Sequence, residues 1–178
     1  MLAQFHQGSA TALPFPNGRF DAAVMTLVIF FVPDPTKAVA EMVRIVGPGG
    51  TVAAYAWDML GGGSPTDPIW EGLRVMGVEQ TLPPSPEVSR IKALQDLWID
   101  AGLEAVETKE ITVSRTFPDF DDFWMTTRSA SPVLEAAVAC VTDAERLRSL
   151  VRRRLSVDAD GHLTYSARAI AVRGRVPT

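Results

Sequence analysis

Residues 20–57 read FDAAVMTLVIFFVPDPTKAVAEMVRIVGPGGTVAAYAW, and three elements with their own stop signals can be picked out of them. Phe20-Asp21 opens an apolar run from Ala22 to Val32 that lacks strict alternation. Such a run suits a strand covered on both faces, as in a parallel sheet. Pro33-Asp34-Pro35 ends it and starts a helix, with Asp34 as a good N-cap and Pro35 at the first helical position. Ala38, Val39, Met42, Ile45 and Val46 form one apolar face, and Lys37, Glu41 and Arg44 lie opposite. Gly47-Pro48-Gly49-Gly50 stops the helix, Gly47 being free to take the left-handed cap. Thr51 to Trp57 is a second strand. Strand, helix and strand in this order predict a βαβ unit with parallel strands.

Downstream, Asp58 to Pro65 is a loop that holds Gly61-Gly62-Gly63. Asp67-Pro68 repeats the cap-plus-proline start, and Ile69, Trp70, Leu73 and Met76 give a short amphipathic helix. Pro83-Pro84-Ser85-Pro86 is a break. Ile91, Leu94, Leu97, Trp98 and Ala101 form another helical face, closed by Gly102. Val106 to Phe117 reads as an extended strand. Phe120, Phe123 and Trp124 cluster on a short helical element, and Thr142 to Glu145 matches a capping box. His162 to Val172 alternates apolar and polar residues and reads as a last strand. Trp70, Trp98, Phe123 and Trp124 are core aromatics or the lining of an apolar pocket, core being the more frequent fate of helix-spaced rings.

The 178 residues suffice for one domain with a sizeable core. The net charge of −4 argues against a general affinity for nucleic acid. Arg146, Arg148, Arg152, Arg153 and Arg154 form a basic run, read mostly as the solvated face of a helix that buries Leu147, Leu150, Val151 and Leu155. The single cysteine, Cys140, allows no internal disulfide and reads as a small buried hydrophobe. His6 and His162 are isolated in sequence, so no metal site is expected. Residues 1–6 carry no basic segment before a long apolar run, and the longest apolar stretch is far too short for a bilayer. No membrane partner is expected, and the cytoplasm is the default location.

Two stretches carry a family resemblance. One is Ala12-Leu13-Pro14-Phe15 through Phe20-Asp21 to Val24; the other runs from Pro33-Asp34-Pro35 through Glu41 and Arg44-Ile45-Val46 to Gly47-Pro48-Gly49-Gly50. In order and spacing, residues 5–57 resemble the middle of class I methyltransferases of the type 11 group, which includes quinone-biosynthesis enzymes. The resemblance implies an α/β fold, a Rossmann-like sheet of order 3-2-1-4-5-7-6 with an antiparallel last strand. Gln4 to Gln7 would be its third strand, the run from Ala22 its fourth and Thr51 to Trp57 its fifth. Val106 to Val113 would be the sixth, and Leu163 to Val172 the antiparallel seventh.

The same resemblance implies an S-adenosyl-L-methionine cofactor, whose main Gly-rich motif belongs to the family's first strand. That motif and the acidic residue ending the second strand do not occur here. Gly61-Gly62-Gly63 follows the fifth strand and is no substitute, being a substrate-side loop or a plain connector. The expectation is a single, partial methyltransferase domain over residues 1–178, N-terminally truncated with strands 1 and 2 absent: a fragment. Its fourth strand would then be an open edge that invites self-association.

Gly8, Ser9 and Ala10 stand where the family usually has Gly-Asp-Ala at the adenine. Ser9 replaces a charged acceptor by a neutral one, which implies weaker adenine binding, on the order of tenfold or less. The competing reading is a plain turn. Thr26 and Leu27, near the carboxyl end of the fourth strand, are further cofactor-binding candidates or core. Many relatives have His where Phe30 stands, so no acid or base is offered there. Methyl transfer from a sulfonium can proceed by alignment in a dry pocket. Tyr55, Trp57 and Asp58 are candidates to face substrate, but no catalytic residue is assigned. The implied function is transfer of a methyl group to a small molecule, the activity of the isolated chain being left open. The alternatives are a non-catalytic partner-binding remnant and a nucleotide-dependent oxidoreductase.

Overall fold

The computed structural model describes residues 3–178. Its four strands form one sheet of order β1-β2-β4-β3, with β1 Phe20–Thr26, β2 Val46–Trp57, β3 Glu104–Phe117 and β4 Leu163–Arg175. β1 and β2 are parallel, and β4 runs antiparallel to β2 from Thr51↔Arg175 to Trp57↔Ala169. This is the order the resemblance gives for strands four to seven. The chain divides into two compact units, one of residues up to Gly61 with Pro83–Ile111 and Ala169–Thr178, the other of Gly62–Leu82 and Thr112–Arg168.

In the first unit, helix α1 (Pro35–Ile45) connects β1 to β2. Asp34 caps it as expected, its carboxylate accepting from the Lys37 amide at 2.9 Å, with Pro35 in the first turn. Its apolar stripe, Ala38, Val39, Met42 and Ile45, is buried. Val52, Ala54 and Ala56 of β2 and Ile170 and Val172 of β4 share one core with Val39 and Met42 of α1 and with Leu94 and Trp98 of helix α3, Ile91–Asp100. The alternate β2 residues, Thr51, Ala53, Tyr55 and Trp57, stay partly exposed.

Several boundaries differ from the sequence expectation. The apolar run was expected to be a strand to Val32, yet β1 ends at Thr26 and Ile29–Phe31 is a 3-10 turn. Ile29 and Phe30 are buried all the same, because a continuous apolar run satisfies a buried turn as well as a strand. Nor is β1 covered on both faces: Val24 is 59% exposed. Gln4–Gln7 forms no strand, having no neighbouring strand to complete a ladder. Gly47 does not cap α1. Val46 is already extended and pairs with Phe20, the Gly18 amide takes the Arg44 carbonyl at 3.0 Å, and the positive φ falls on Gly49. Gly102 does close α3, at φ 78°.

The second unit has its own core. Ile69, Trp70 and Leu73 of α2 (Asp67–Val75), Phe120, Phe123 and Trp124 of α4 (Phe120–Arg128), Leu134 and Val138 of α5 (Pro132–Ala139) and Leu147 and Val151 of α6 (Ala144–Arg152) pack together. The aromatics are core, the more frequent of their two fates. Thr66, not Asp67, is the α2 cap residue, and the Asp67 carboxylate accepts from the Ser64 amide at 2.8 Å. Asp143 rather than Thr142 caps α6, accepting from the Arg146 amide at 2.9 Å. Cys140 follows the last turn of α5 and is exposed, contrary to its apolar sequence context.

The basic run is mostly a solvated face, as expected, with Arg146, Arg152, Arg153 and Arg154 exposed and Arg148 half-buried. The Arg148 and Arg152 guanidiniums stand over the Phe120 ring at 5.4 and 4.6 Å, Arg148 pairs with Asp121, and Arg154 pairs with Glu71. His162 is not isolated in space: it gathers with Asp158 and Asp160 on an exposed turn, where Asp158 Oδ1 accepts from the Asp160 and His162 amides. Among the described residues no helix is long and apolar enough to cross a membrane.

Candidate functional site

The carboxyl end of β1 is marked by its backbone. Leu27, immediately after Thr26, has φ 56°, a left-handed conformation that costs a non-glycine residue roughly 1–2 kcal/mol. It is held there by its amide, which donates to the Tyr55 carbonyl at 2.8 Å and so extends the ladder with β2 one residue past the strand. Thr26 lies beside Tyr55 in register. The chain then turns into Ile29–Phe31, whose first two residues are buried. Strain of this kind persists only where its surroundings hold it, and it concentrates at binding sites.

Gly8, Ser9 and Ala10 lie in a tight turn earlier in the same unit. The Ala12 amide donates to the Ser9 carbonyl at 3.0 Å, and the Ser9 and Thr11 hydroxyls are 2.9 Å apart. The Thr11 amide donates to Ser9 Oγ at 3.3 Å. Ser9 is exposed and Ala10 half-buried. A Cβ on Gly8 would stand 3.0 Å from Pro14 Cδ, a tight contact that a small shift of Pro14 would have to relieve. The structure therefore holds Gly8, Ser9 and Ala10 in one turn and Thr26 and Leu27 at one strand end.

Farther along the sheet, Tyr55 borders a cavity of about 550 Å³ lined also by Ala53, Ala171, Lys109, Glu107 and Arg173. Arg173 pairs with Glu107 at 2.7 Å. Asp58, after β2, is buried, and its carboxylate accepts from the Gly61 amide at 2.8 Å. That bond gives Asp58 a role in shaping the loop it opens.

Glu41 and Arg44 were expected on the outer face of α1 and belong to the stretch that carries the family resemblance. In the structure both reach the loop that follows the Gly8–Ala10 turn. Glu41 Oε2 accepts from the Leu13 amide at 2.8 Å, and Arg44 donates to the Leu13 and Phe15 carbonyls at 3.0 and 2.8 Å. The Arg44 fork beside it, with the Leu13 amide, holds the Glu41 carboxyl down at about 2. Their Glu-x-x-Arg spacing, an acid and a base one helical turn apart, was the signal available in sequence.

The family model of the Methyltransferase domain matches residues 1–54. An uncharacterized protein of Mycobacterium tuberculosis is 36% identical over 57 residues, 32% of this chain and 21% of that protein. The demethylmenaquinone methyltransferase of Paenarthrobacter aurescens is 33% identical over 79 residues, 44% of this chain and 29% of that protein. The chain thus spans less than a third of the length of either curated relative. Among solved structures, the YcgJ protein of Bacillus subtilis superimposes with a TM-score of 0.57 at 16% identity, covering 98% of this chain and 71% of that one.

Proposed function

We propose, for a chain whose fold is that of the class I methyltransferases, that it forms part of an S-adenosyl-L-methionine-dependent methyltransferase acting on a small molecule. The observation that carries this reading is the agreement of two independent features. Residues 1–54 match the Methyltransferase domain, and the sheet order β1-β2-β4-β3 with antiparallel β4 is that of the family's strands four to seven. The similarity to a demethylmenaquinone methyltransferase supports a small methyl acceptor over a macromolecular one.

The residues present suit one end of the cofactor. In this reading the Gly8–Ala10 turn takes the adenine, with the exposed Ser9 hydroxyl accepting from its amino group. Thr26 and Leu27 offer backbone and apolar surface at the strand end, where ligands of open α/β sheets bind. The cofactor supplies an activated methyl on a sulfonium. The protein orients it and excludes water, and no side chain here is required to move a proton.

The test is calorimetric titration with S-adenosylhomocysteine of a chain shown by circular dichroism to be folded. Micromolar binding that is weakened by Ser9→Ala and strengthened by Ser9→Asp supports the reading; the Asp change should improve affinity by on the order of tenfold or less. A folded chain that binds none overturns the cofactor site assigned to Gly8–Ala10, Thr26 and Leu27.

A second reading, a module that docks a partner or another copy of itself through β1, is favoured by one observation. β1 is an edge strand with β2 on one side only, and its Val24 is largely exposed. Self-association without cofactor binding would select that reading.

A further inference from the structure

All five N–H groups of the Arg44 guanidinium have an acceptor. Nε donates to Glu41 Oε1 at 2.7 Å, and Nη2 to Glu41 Oε2 at 2.8 Å and to the Leu13 carbonyl at 3.0 Å. Nη1 donates to the Phe15 carbonyl at 2.8 Å and to Asn17 Oδ1 at 2.9 Å. An arginine has five such donors in a planar fork and no more. Two of them pair with a residue one turn away on the same helix; the other three hold the loop Leu13–Asn17. Glu41 adds a fourth tie by accepting from the Leu13 amide, and the backbone of Arg44 a fifth by accepting from the Gly18 amide at 3.0 Å.

The loop so held in turn touches the segment before it at two points, Gly8 at the start of the candidate adenine turn and His6 two residues ahead of it. Pro14 lies against Gly8, so that a Cβ there would stand 3.0 Å from Pro14 Cδ and force a small shift. The Phe15 ring meets His6 edge-on at a centroid distance of 5.2 Å, and meets Phe20 on β1 at 5.0 Å. The Gly8–Ala10 turn contributes little burial of its own. Ser9 is exposed, and its hydrogen bonds are local, to Thr11 and Ala12.

From this geometry we infer that Glu41 and Arg44 are positioning residues for the cofactor site, an ionic clamp on α1 that sets the Gly8–Ala10 turn through Pro14 and Phe15. The inference rests on the cofactor reading above and adds to it two residues that touch no cofactor. A lysine cannot replace the arginine, since an ammonium is a point charge with three donors and cannot span three loop acceptors and a carboxylate fork.

Two measurements on the whole chain test it, amide hydrogen exchange without ligand and calorimetric affinity for S-adenosylhomocysteine and for adenosine. Arg44→Lys is expected to speed exchange at Leu13 and Thr11 and to weaken both ligands in parallel, by about tenfold. Asn17→Ala, at an exposed residue that shares only one of the five donors, is expected to do the same by about two- to threefold, and it serves if Arg44→Lys fails to fold. Faster exchange with unchanged affinity overturns the positioning role and leaves a clamp of structural effect alone. Unchanged exchange overturns the clamp itself. A folded wild-type chain that binds neither ligand removes the cofactor reading and this role with it, while its exchange data still decide whether the clamp exists.

Discussion

The indole Nε1 of Trp98 donates to the backbone carbonyl of Val52 at 3.0 Å, with the Trp98 side chain fully buried. One bond thereby joins α3 to the middle of β2, 46 residues away in sequence. Trp98→Phe removes that bond and part of the packed ring. The expected cost is about 1–3 kcal/mol, read as a lower urea midpoint at unchanged slope.

Gly72 of α2 lies where α6 comes closest to it. A Cβ there would stand 2.9 Å from Leu147 Cδ1 and 3.0 Å from Val151 Cγ2. Leu147 Cδ1 is the far end of a flexible side chain that can yield a little, whereas the branched Val151 is stiffer. Gly72→Ala should therefore come out near neutral, the overpacking being offset by about 1 kcal/mol of helix propensity. Gly72→Val cannot escape the crowding and should lose about 1–3 kcal/mol. Thermal melts of the pair decide it; equal behaviour would contradict the close approach.

Glu41 predicts a pH signature. The hydrogen bonds from Arg44 lower its carboxyl first, the Leu13 amide next, and the charges of Arg44 and Lys37 add to them, to about 2. A depressed carboxyl stabilises the fold fully above its ordinary value of 4.5 and loses that contribution as the pH falls toward 2. The carboxyl carbon resonance of Glu41 should titrate near 2, and Glu41→Gln should flatten the acid limb of stability between those two values.

Tyr165 gives the opposite sign. Burial, followed by the charges of Asp67 and Glu71, pushes its phenol up to about 12. Its contribution is present below the ordinary tyrosine value near 10 and lost as the pH rises toward 12. Phenolate absorbance should show one tyrosine still neutral above pH 10 that disappears in Tyr165→Phe. The same change removes the bond to the Ser64 carbonyl, 3.2 Å, and should cost about 1 kcal/mol.

The open edge of β1 can be tested by charge. Edge strands are commonly protected by lysine, and Val24 is an exposed β1 position without one. Val24→Lys should reduce concentration-dependent association in sedimentation while leaving the circular dichroism spectrum unchanged. Association that persists in the variant would place the contact elsewhere.

The βαβ unit was legible because its signals are local: Asp34 and Pro35 start a helix wherever they stand, and Val39 and Met42 bury one face of it. The end of β1 was not legible, since Ile29 and Phe30 are as apolar in a buried 3-10 turn as in a strand, and only backbone geometry reveals the left-handed Leu27. Asp143 displaced Thr142 as a cap because both residue types can accept from the amide three residues on, so composition could not rank them. The clamp was half visible. Glu41 and Arg44 were seen as an outer helical face, but their partners at Leu13 and Phe15 are 28 and 29 residues distant, beyond any periodicity. The Gly8–Ala10 assignment came from resemblance alone, because a turn of small residues has no chemistry that separates binding from connection.

The pairing of β2 with β4 carries a consequence for how the chain is made. Trp57 finds its partner at Ala169 and Thr51 at Arg175, more than a hundred residues later. A ribosome adds roughly 5–20 residues per second, so β2 leaves it many seconds before the strand that will flank it exists. During that interval β2 can pair with β1 but keeps a second row of backbone groups without their eventual neighbour. The nascent chain is then more open to misassembly than the finished one, and a chaperone that shields β2 early should raise the yield of folded protein more than one added after release.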